Sequence, residues 1–304
     1  MRKRRAYITF PEQFGSDSAL LANQKKIEGV NIRFKVQTYN TAGSPASAYI
    51  TVYNLNRKDL QFLSTGAATW LQKQNLMQLY AGYDNDVSLI AGGQIMEAIP
   101  QGNPDVALSI KLINGVQWLG HNLEIQKSDF NLAALIDETA EKMGWTVNCP
   151  QWLRDSSEIL NKKISDFSYT GSPMDLIAQI QEMCGGFGLT EKSVNISMGM
   201  NSINIWSPVQ QPGNPQILEI NKRTGMIGYP QPTTGGVSVQ ILLNPNIQTG
   251  QLVHITSERT PFINGEYYVV SITHEGELRG NNWYSTLECS RTTTGTKGAT
   301  NADE

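Results

Sequence analysis

The sequence predicts a mainly β protein in which an α/β insert separates two β domains, each of them a barrel or a sandwich. Three observations support this fold class. Apolar and polar residues alternate with the period of two that marks β-strands, early in the chain and again near its end. Between these regions the period changes to that of helices. Only 17% of the residues are charged and 27 are glycines, a composition typical of turn-rich β proteins.

The first β domain is expected to span residues 30–120, after an N-terminal arm at residues 1–29. Strand patterns occur at residues 31–37, 48–55, 75–83, 87–95 and 106–113, with a short helical signal at residues 58–63. The turn Asp84-Asn85-Asp86 joins two of these patterns. Because Asn and Asp tolerate left-handed backbone angles, a tight hairpin is predicted there. Many short strands separated by turns favour a barrel or a sandwich.

The insert, residues 121–206, is predicted to contain two helix–strand units. In the first unit the helix covers residues 131–143, and Asp129 or Asn131 is its N-cap. Gly144 ends this helix, and a strand follows it. The apolar residues of the helix recur at the spacing that places them on one face.

The second unit repeats this pattern. Ser172 is the predicted N-cap, and Pro173 occupies the first helical position, where its missing N–H does no harm. Gly185-Gly186 ends the helix, and a strand is predicted from Phe187. The two units are either an internal duplication or two similar local solutions. Paired strands at residues 194–198 and 202–206 complete the insert.

A proline-rich linker is expected at residues 207–215, the second β domain at residues 216–291 and a flexible tail at residues 292–304. The second domain ends in a predicted hairpin, whose two alternating strands flank a polar loop. The hairpin residues with a predicted structural role are Gly265, Tyr267, His274 and Trp283.

Charge and cysteine content limit the possible partners. A net charge of −3 and a pI near 5.7 argue against a general nucleic-acid binder. The basic cluster Arg2–Arg5 is the exception, and it is either solvated or docked on an acidic neighbour. Three widely spaced cysteines indicate neither a disulfide framework nor a zinc site. With no signal peptide and no apolar stretch of about 20 residues, we expect synthesis in the cytoplasm and no membrane insertion.

No constellation of catalytic, cofactor-binding or metal-ligating residues is predicted. His121, His254 and His274 lack metal-ligand spacing, and a histidine on a strand is more often a hydrogen-bonded structural residue. The acidic pairs Asp84/Asp86 and Glu275/Glu277 fall in predicted loops, which seldom provide the apolar pocket that raises the pKa of a carboxyl group. We therefore expect no enzyme activity and no cofactor.

Three segments in order resemble a baseplate hub protein of contractile-tailed bacteriophages. The first is Ile50-Thr-Val-Tyr-Asn-Leu-Asn, followed by a short helix, Leu79-Tyr-Ala-Gly-Tyr and Gly92-Gly-Gln-Ile. The second is Tyr169-Thr-Gly-Ser-Pro-Met-Asp-Leu-Ile with the later Gly-Phe-Gly-Leu. The third runs from Gly265 through His274 and Trp283 to Arg291. The resemblance covers most of residues 30–291.

The resemblance implies two tail-tube-like antiparallel β-barrels in each chain and a homotrimer with six such barrels in one ring. It also implies a location in the tail baseplate of the virion. The implied partners are the tail tube or tube-initiator protein, the central spike, the tape-measure protein and the surrounding wedge proteins, with DNA passing through without specific binding. The residues expected at the ring interface are Tyr53, Asn54, Leu55, Asp84, Asn85 and Asp86.

Three alternatives remain open from the sequence. A cell-wall hydrolase of the tail tip requires paired carboxylates or a zinc site, and neither is found. A carbohydrate-binding adhesin would use Trp152, Trp206 and Trp283 for stacking on sugars, although core packing is the ordinary role of such residues. A six-fold distal tube or tube-initiator protein would have one barrel per chain.

Overall fold

A computed structural model describes residues 3–10, 25–39, 46–68, 76–102, 106–114, 121–188, 193–198, 202–207 and 217–291. Within these ranges the chain is mainly β with few helices, which confirms the general fold class. The predicted tail, and the predicted linker apart from Ser207, lie outside the described residues.

The elements follow in chain order. The N-terminal part contains β1 (Arg4–Phe10), β2 (Lys25–Ile27), β3 (Asn31–Tyr39), β4 (Ser47–Tyr53), α1 (Arg57–Ala68), β5 (Leu76–Tyr83), β6 (Asp86–Gln101) and β7 (Ala107–Ile113). The middle part contains β8 (Leu123–Asn131), α2 (Leu132–Met143), β9 (Thr146–Asn148), α3 (Gln151–Ser156), β10 (Lys163–Gly171), α4 (Pro173–Met183), β11 (Asn195–Met198) and β12 (Ser202–Trp206). The C-terminal part contains β13 (Leu218–Ile220), β14 (Met226–Thr233), β15 (Gly236–Leu242), β16 (Leu252–Ile255), a 3-10 turn (Pro261–Ile263), β17 (Gly265–Glu277) and β18 (Trp283–Arg291).

One branched sheet of 13 strands contains the N-terminal and C-terminal parts together. Its order is β14-β15-β18-β17-β3-β4-β7-β6-β5-β1-β2, and β17 also pairs with β16, which pairs with β13. Among the described strands, no ring closes through hydrogen bonds. Two closed barrels, the finer part of the predicted fold class, are therefore not found. The strands at the two ends of each half of this order, β3 with β2 and β13 with β14, form no ladder with each other, and the ladder between β17 and β3 joins the two predicted domains in one sheet.

The strands from β3 to β2, with α1, form a curled unit that we call the first β unit. Strands β3 and β2 are at opposite ends of this seven-strand order, yet Ile27 and Asn31 are close neighbours in the chain. The link between them spans at most about 14 Å, whereas the outer strands of a flat seven-stranded sheet lie about 29 Å apart. The sheet therefore curls around a single buried cluster that includes Ile8 and Ile50.

Strand β1 belongs to the stretch expected as an N-terminal arm. It pairs with β5 from Arg4 to Thr9 on one side and with β2 from Ile8 to Phe10 on the other. Ala6 and Ile8 are buried in the first β unit, because every second side chain of the strand points into the curl. Residues 4–10 are thus part of the sheet.

The strands from β13 to β18 form the second β unit, ordered β14-β15-β18-β17-β16-β13. The two ends of this order also meet. The N–H of Met226, at the start of β14, donates to the carbonyl of Asn221, just after β13, over 3.0 Å. A separate buried cluster that includes Val239, Tyr267 and Leu287 fills this unit.

The insert has its own buried cluster, and both of its long helices begin where the sequence predicts. The side chain of Asn131 accepts a hydrogen bond from the N–H of Ala134 over 2.9 Å, and Ser172 Oγ accepts one from Met174 over 3.2 Å. Gly144, with φ 64°, ends α2 in the left-handed region that favours glycine.

The strand predicted from Phe187 is wrong at its first two residues, and its remainder lies outside the described ranges. The side chain of Asn195 explains this, because it pairs with both backbone groups of Gly188 in place of a neighbouring strand. The ribbon of β8 and β10 was not predicted. Its exposed positions are polar, and its buried positions are too few for a clear alternating pattern.

Strand β17 joins the two β units. Its first residues, Gly265–Tyr268, pair with β16, and Ser271–Glu277 pair with β3 in seven consecutive residue pairs. A β-bulge between Val269 and Ser271 marks the change of partner. Strand β18 pairs with β17 along the edge opposite to β16 and β3, so the predicted C-terminal hairpin forms. The hairpin contributes to both units because β17 does.

Candidate assembly surfaces

The predicted tight turn at Asp84–Asp86 forms between β5 and β6. Asp84 has φ 48°, the left-handed conformation expected for a turn residue of this type. Its carboxylate accepts the backbone N–H of Lys3 over 3.0 Å, and its carbonyl accepts Arg5 Nη1 over 3.2 Å. Asp84 therefore holds the start of β1, whereas Asn85 and Asp86 are exposed at the tip of the hairpin.

Arg4, from the basic cluster, binds within the chain. Its Nη1 donates to the carbonyl of Gly280 over 2.6 Å and to that of Glu277 over 3.3 Å. Nη2 donates to the carbonyl of Asn281 over 3.3 Å, and the guanidinium lies 5.6 Å from the centroid of the Trp283 ring. A planar fork of donors suits this set of carbonyls. Arg4 thus ties the first β unit to the loop of the C-terminal hairpin.

The other predicted interface segment, Tyr53–Leu55, lies at the opposite end of β6 from the turn. Tyr53 pairs with Ala107, which pairs with Gln101 at the end of β6. Asp86 and Gln101 are separated by up to about 50 Å along an extended strand. Leu55 is buried, whereas Asn54 is exposed and has φ 54°. The structure therefore does not bring the two predicted segments together within one chain.

The four predicted hairpin residues have different environments. Gly265 has φ 148°, which favours glycine, and the hydroxyl of buried Tyr267 donates to the carbonyl of Ile263. Trp283 packs edge-on against Phe34, with ring centroids 5.5 Å apart, and belongs to the core of the first β unit. The hairpin thus contributes one large aromatic residue to each core.

His274 lies in β17 with only 3% of its surface exposed. Its Nδ1 is 2.8 Å from Ser285 Oγ on β18. Burial lowers the pKa of His274 to about 4, because a charged imidazolium would lose its hydration. The ring is therefore neutral at pH 7.

The three cysteines are poor nucleophiles in the fold. Burial raises the pKa of Cys184 and Cys289 to about 12 and also raises the pKa of half-buried Cys149. Among the described residues, no group of three or more His, Cys, Asp or Glu side chains is placed to hold a metal ion. Within the same ranges no helix is long and apolar enough to cross a membrane. Trp206 and Trp283 are buried, so neither offers a face for stacking on sugars.

The outer side of the shared sheet exposes two neighbouring rows of side chains that cross both β units. One row contains Leu242, Tyr284, Glu275, Lys35, Tyr49, Lys111 and Glu97. The next row contains Glu277, Arg33, Thr51, Ser109 and Ile99. Lys35 Nζ and Glu275 Oε1 are 2.7 Å apart across the ladder between β3 and β17. Register across seven strands creates this surface, which sequence patterns alone did not reveal.

Solved structures similar to this chain include two tail proteins and a component of a type VI secretion system. A tail protein from Neisseria meningitidis MC58 has a TM-score of 0.60 and 7% identity, over 95% of this chain and 97% of that chain. The 43 kDa tail protein of prophage MuSo2 from Shewanella oneidensis has a TM-score of 0.57 and 9% identity at the same coverage. The E. coli c3393 protein is described as a type VI secretion system component similar to the T4 tail proteins gp27 and gp5. It has a TM-score of 0.53 and 9% identity over 87% of this chain and 74% of that chain. At these identities the likeness shows the fold alone.

The family model for baseplate hub gp41 matches residues 16–289. The chain therefore belongs to the baseplate hub gp41 family, as the sequence resemblance indicated. No curated protein matches it. Family membership makes the chain a baseplate hub and tail structural protein and implies a location in the tail baseplate of the virion.

Proposed function

We propose that three copies of this chain form a hub ring of six similar β units that connects the tail tube to the central spike. The observation that carries this proposal is the ladder of seven residue pairs between β17 and β3. It holds two curled units side by side in one sheet, so each chain supplies a third of a six-unit ring. A ring of this kind has six-fold character at the level of its units and three-fold symmetry at the level of its chains.

The outer side of the shared sheet is suited to line a central channel. Both cores lie on the opposite side of the sheet, so this surface remains available in the assembled ring. Its two rows carry three cations, Lys35, Lys111 and Arg33, and three carboxylates, Glu275, Glu97 and Glu277. Without a basic excess, the channel does not hold phosphates through counterion release, and DNA passes without specific binding.

A closed ring of identical chains needs two different surfaces of each chain to meet. Asp84–Asp86 and Tyr53–Leu55 satisfy this requirement, because they lie at opposite ends of β6. We assign the exposed tip of the turn, Asn85 and Asp86, to one side of the interface. The segment after β4 of the next chain forms the other side.

The partners outside the ring follow from its two faces. One face contacts the tail tube or tube-initiator protein, and the opposite face contacts the central spike. The tape-measure protein occupies the channel, and baseplate wedge proteins surround the ring. In this function the chain works through interfaces and shape, and its described side chains provide no catalytic step.

The oligomeric mass and the ring symmetry test the proposal. Light scattering of the purified chain should give about 101 kDa, which is three times 33.6 kDa. Electron microscopy should show a three-fold ring with two β units per chain. A six-fold ring with one unit per chain would indicate a tube or tube-initiator protein instead. Peptidoglycan degradation or binding on a glycan array would favour the hydrolase or the adhesin.

A further inference from the structure

A pocket of about 320 Å³ lies where the first β unit, the insert and the second β unit meet. This volume falls within the range of sites for small ligands. Each part of the chain contributes to the walls, including Ile90 from β6, Asn148 and Asn204 from the insert, and Ile247 and His274 from the second β unit. The pocket is therefore a junction of all three parts.

The described residues that line this pocket include no Asp, Glu, Lys or Arg. In the whole chain, by contrast, 17% of the residues are charged. A charged ligand would lose hydration in the pocket without gaining a counter-charge, which is unfavourable. The walls combine apolar side chains with carboxamides and hydroxyls. The lining therefore selects an uncharged ligand that has both apolar and hydrogen-bonding groups.

His274 contributes a hydrogen-bond donor to the pocket. Ser285 Oγ accepts the N–H of Asn244 over 3.0 Å and lies 2.8 Å from His274 Nδ1. With the Ser285 hydroxyl as the donor in this second pair, the imidazole proton lies on Nε2. His274 lines the pocket with 3% of its surface exposed, so Nε2 is the ring nitrogen left to meet a ligand or a water molecule there.

Two asparagines contribute complementary groups. Asn204 Oδ1 accepts Asn148 Nδ2 over 2.8 Å and Ser202 Oγ over 3.2 Å. This arrangement leaves Asn204 Nδ2 as a donor and Asn148 Oδ1 as an acceptor. Together with His274 Nε2, the pocket offers donors for a carbonyl oxygen and an acceptor for an amide N–H. A primary carboxamide or a peptide unit presents both groups.

We propose that the junction pocket binds an uncharged peptide segment of a partner protein whose carboxamide side chain enters the pocket. The carbonyl oxygen of this carboxamide accepts from His274 Nε2 and its NH₂ group donates to Asn148 Oδ1. The apolar walls contact the methylene groups of the same side chain. Because the segment touches all three parts of the chain, its binding fixes their relative orientation. This site is independent of the ring proposed above.

Selective ¹⁵N labelling of histidine tests the site directly. The chain has three histidines, so His121 and His254 act as internal references for His274. N-acetyl-L-glutamine amide is the probe, and N-acetyl-L-glutamate amide is its charged counterpart of the same shape. The glutamine probe should shift the Nε2 signal of His274 with a Kd on the order of 1 mM, as expected for about 13 non-hydrogen atoms. The glutamate probe should bind at least about tenfold more weakly.

A matched pair of variants distinguishes the effect of a charge inside the pocket from the effect of a charge elsewhere on the surface. Asn204→Asp places a charge in the pocket without changing its size and should weaken binding of the glutamine probe about tenfold or more. Asn122→Asp makes the same change at an exposed site of the insert and should leave binding unchanged. If Asn204→Asp does not fold, the more exposed Asn148→Asp replaces it.

The proposal would be wrong if the His274 signal did not move at a concentration of the glutamine probe ten times the expected Kd. It would also be wrong if the two probes bound equally, or if the folded pocket variant bound the glutamine probe as tightly as the wild type. Each of these results would mean that the pocket holds only water. Ring mass and symmetry are measured separately, so failure of the pocket is distinguishable from failure of the hub.

Discussion

In the folded chain His274 is neutral at pH 7, and its ring takes part in hydrogen bonding. A general base works best when its pKa lies near the operating pH, whereas burial brings the pKa of this residue to about 4. Ser285 Oγ lies 2.8 Å from Nδ1, and the backbone of His274 pairs with Val36 on β3 and with Ser285 on β18. The structural role that the sequence predicts for His274 stays a prediction.

Replacing His274 with Gln should remove a pH dependence of stability. Histidine titrates near pH 6.5 in the unfolded chain and near 4 in the fold, so between these values the unfolded chain binds the additional proton. Stability therefore falls as the pH decreases through this window. From pH 7 to pH 5 the wild type should lose about 2 kcal/mol more than His274→Gln, from about 1.36 kcal/mol per pKa unit.

Urea unfolding at the two pH values measures this difference. His254→Gln is the matched control, because His254 lies on a strand but is only half-buried. It should lose as much stability as the wild type between the two pH values. Equal losses for the wild type and His274→Gln would contradict the prediction.

Arg4 should contribute more to stability than its neighbour Arg5. Arg4 makes three hydrogen bonds to hairpin carbonyls and lies over Trp283, whereas Arg5 is exposed and has one bond, to the Asp84 carbonyl. Arg4→Ala should lower the free energy of unfolding by about 1–3 kcal/mol, because charged donors strengthen such bonds. Arg5→Ala should change it by less than about 0.5 kcal/mol. Chemical denaturation compares the two variants, and equal effects would contradict this assignment.

At the scale of elements, local chemistry predicted the fold well where a signal is contained in a few adjacent residues. The N-caps Asn131 and Ser172, the helix end at Gly144 and the turn at Asp84 all formed as expected. The pairing of β17 with β3 could not be predicted, because its partners are more than 230 residues apart in the chain. Alternation indicates which face of a strand is buried and leaves its neighbour undetermined.

Gly276 is a second case in which the sequence does not reveal a contact between residues that are distant in the chain. The sequence suggested that it belongs to the polar loop of the hairpin, but β17 extends through it to Glu277. A Cβ atom at this position would lie 2.2 Å from Cζ of Phe34, which is itself buried against Trp283. Glycine is therefore required here by the close approach of an aromatic ring.

Gly276→Ala should destabilise the fold by about 1–3 kcal/mol, because the ring of Phe34 has no free space to move into. Gly235→Ala is the control, since no atom lies within 4 Å of its added Cβ. Adding Phe34→Leu should recover part of the loss, as expected for two residues in contact. Thermal unfolding of the three variants measures these effects. A Gly276→Ala variant as stable as Gly235→Ala would show that the close approach is not restrictive.

At the scale of the whole molecule, the candidate surfaces were predicted only in part. The sequence suggested Asp84–Asp86 and Tyr53–Leu55 as interface segments. It did not reveal that Asp84 is engaged with Lys3 and Arg5, or that the outer rows and the junction pocket exist. These features depend on strand register and on the packing of three parts of the chain, which no short segment encodes.

The hairpin tip should affect assembly without affecting the fold. Among the described residues, none forms a hydrogen bond or an ion pair with the side chain of Asn85 or Asp86. The double variant Asn85→Lys/Asp86→Lys should therefore reduce the trimer fraction in light scattering and leave the unfolding temperature unchanged. Glu158→Lys, at an exposed site in the insert, is the charge control and should assemble normally. A full trimer fraction in the double variant would remove the tip from the interface.

Because Trp283 belongs to the core of the first β unit, this core is completed only late in synthesis of the chain. The last strand of the first β unit before the insert ends at Ile113, and Trp283 follows 170 residues later (283 − 113). At translation rates of about 5–20 residues per second, the ribosome needs roughly 10–35 s more to deliver it. During that time the nascent N-terminal half has an incomplete core. Only chains synthesised almost to the end can complete the core of the first β unit.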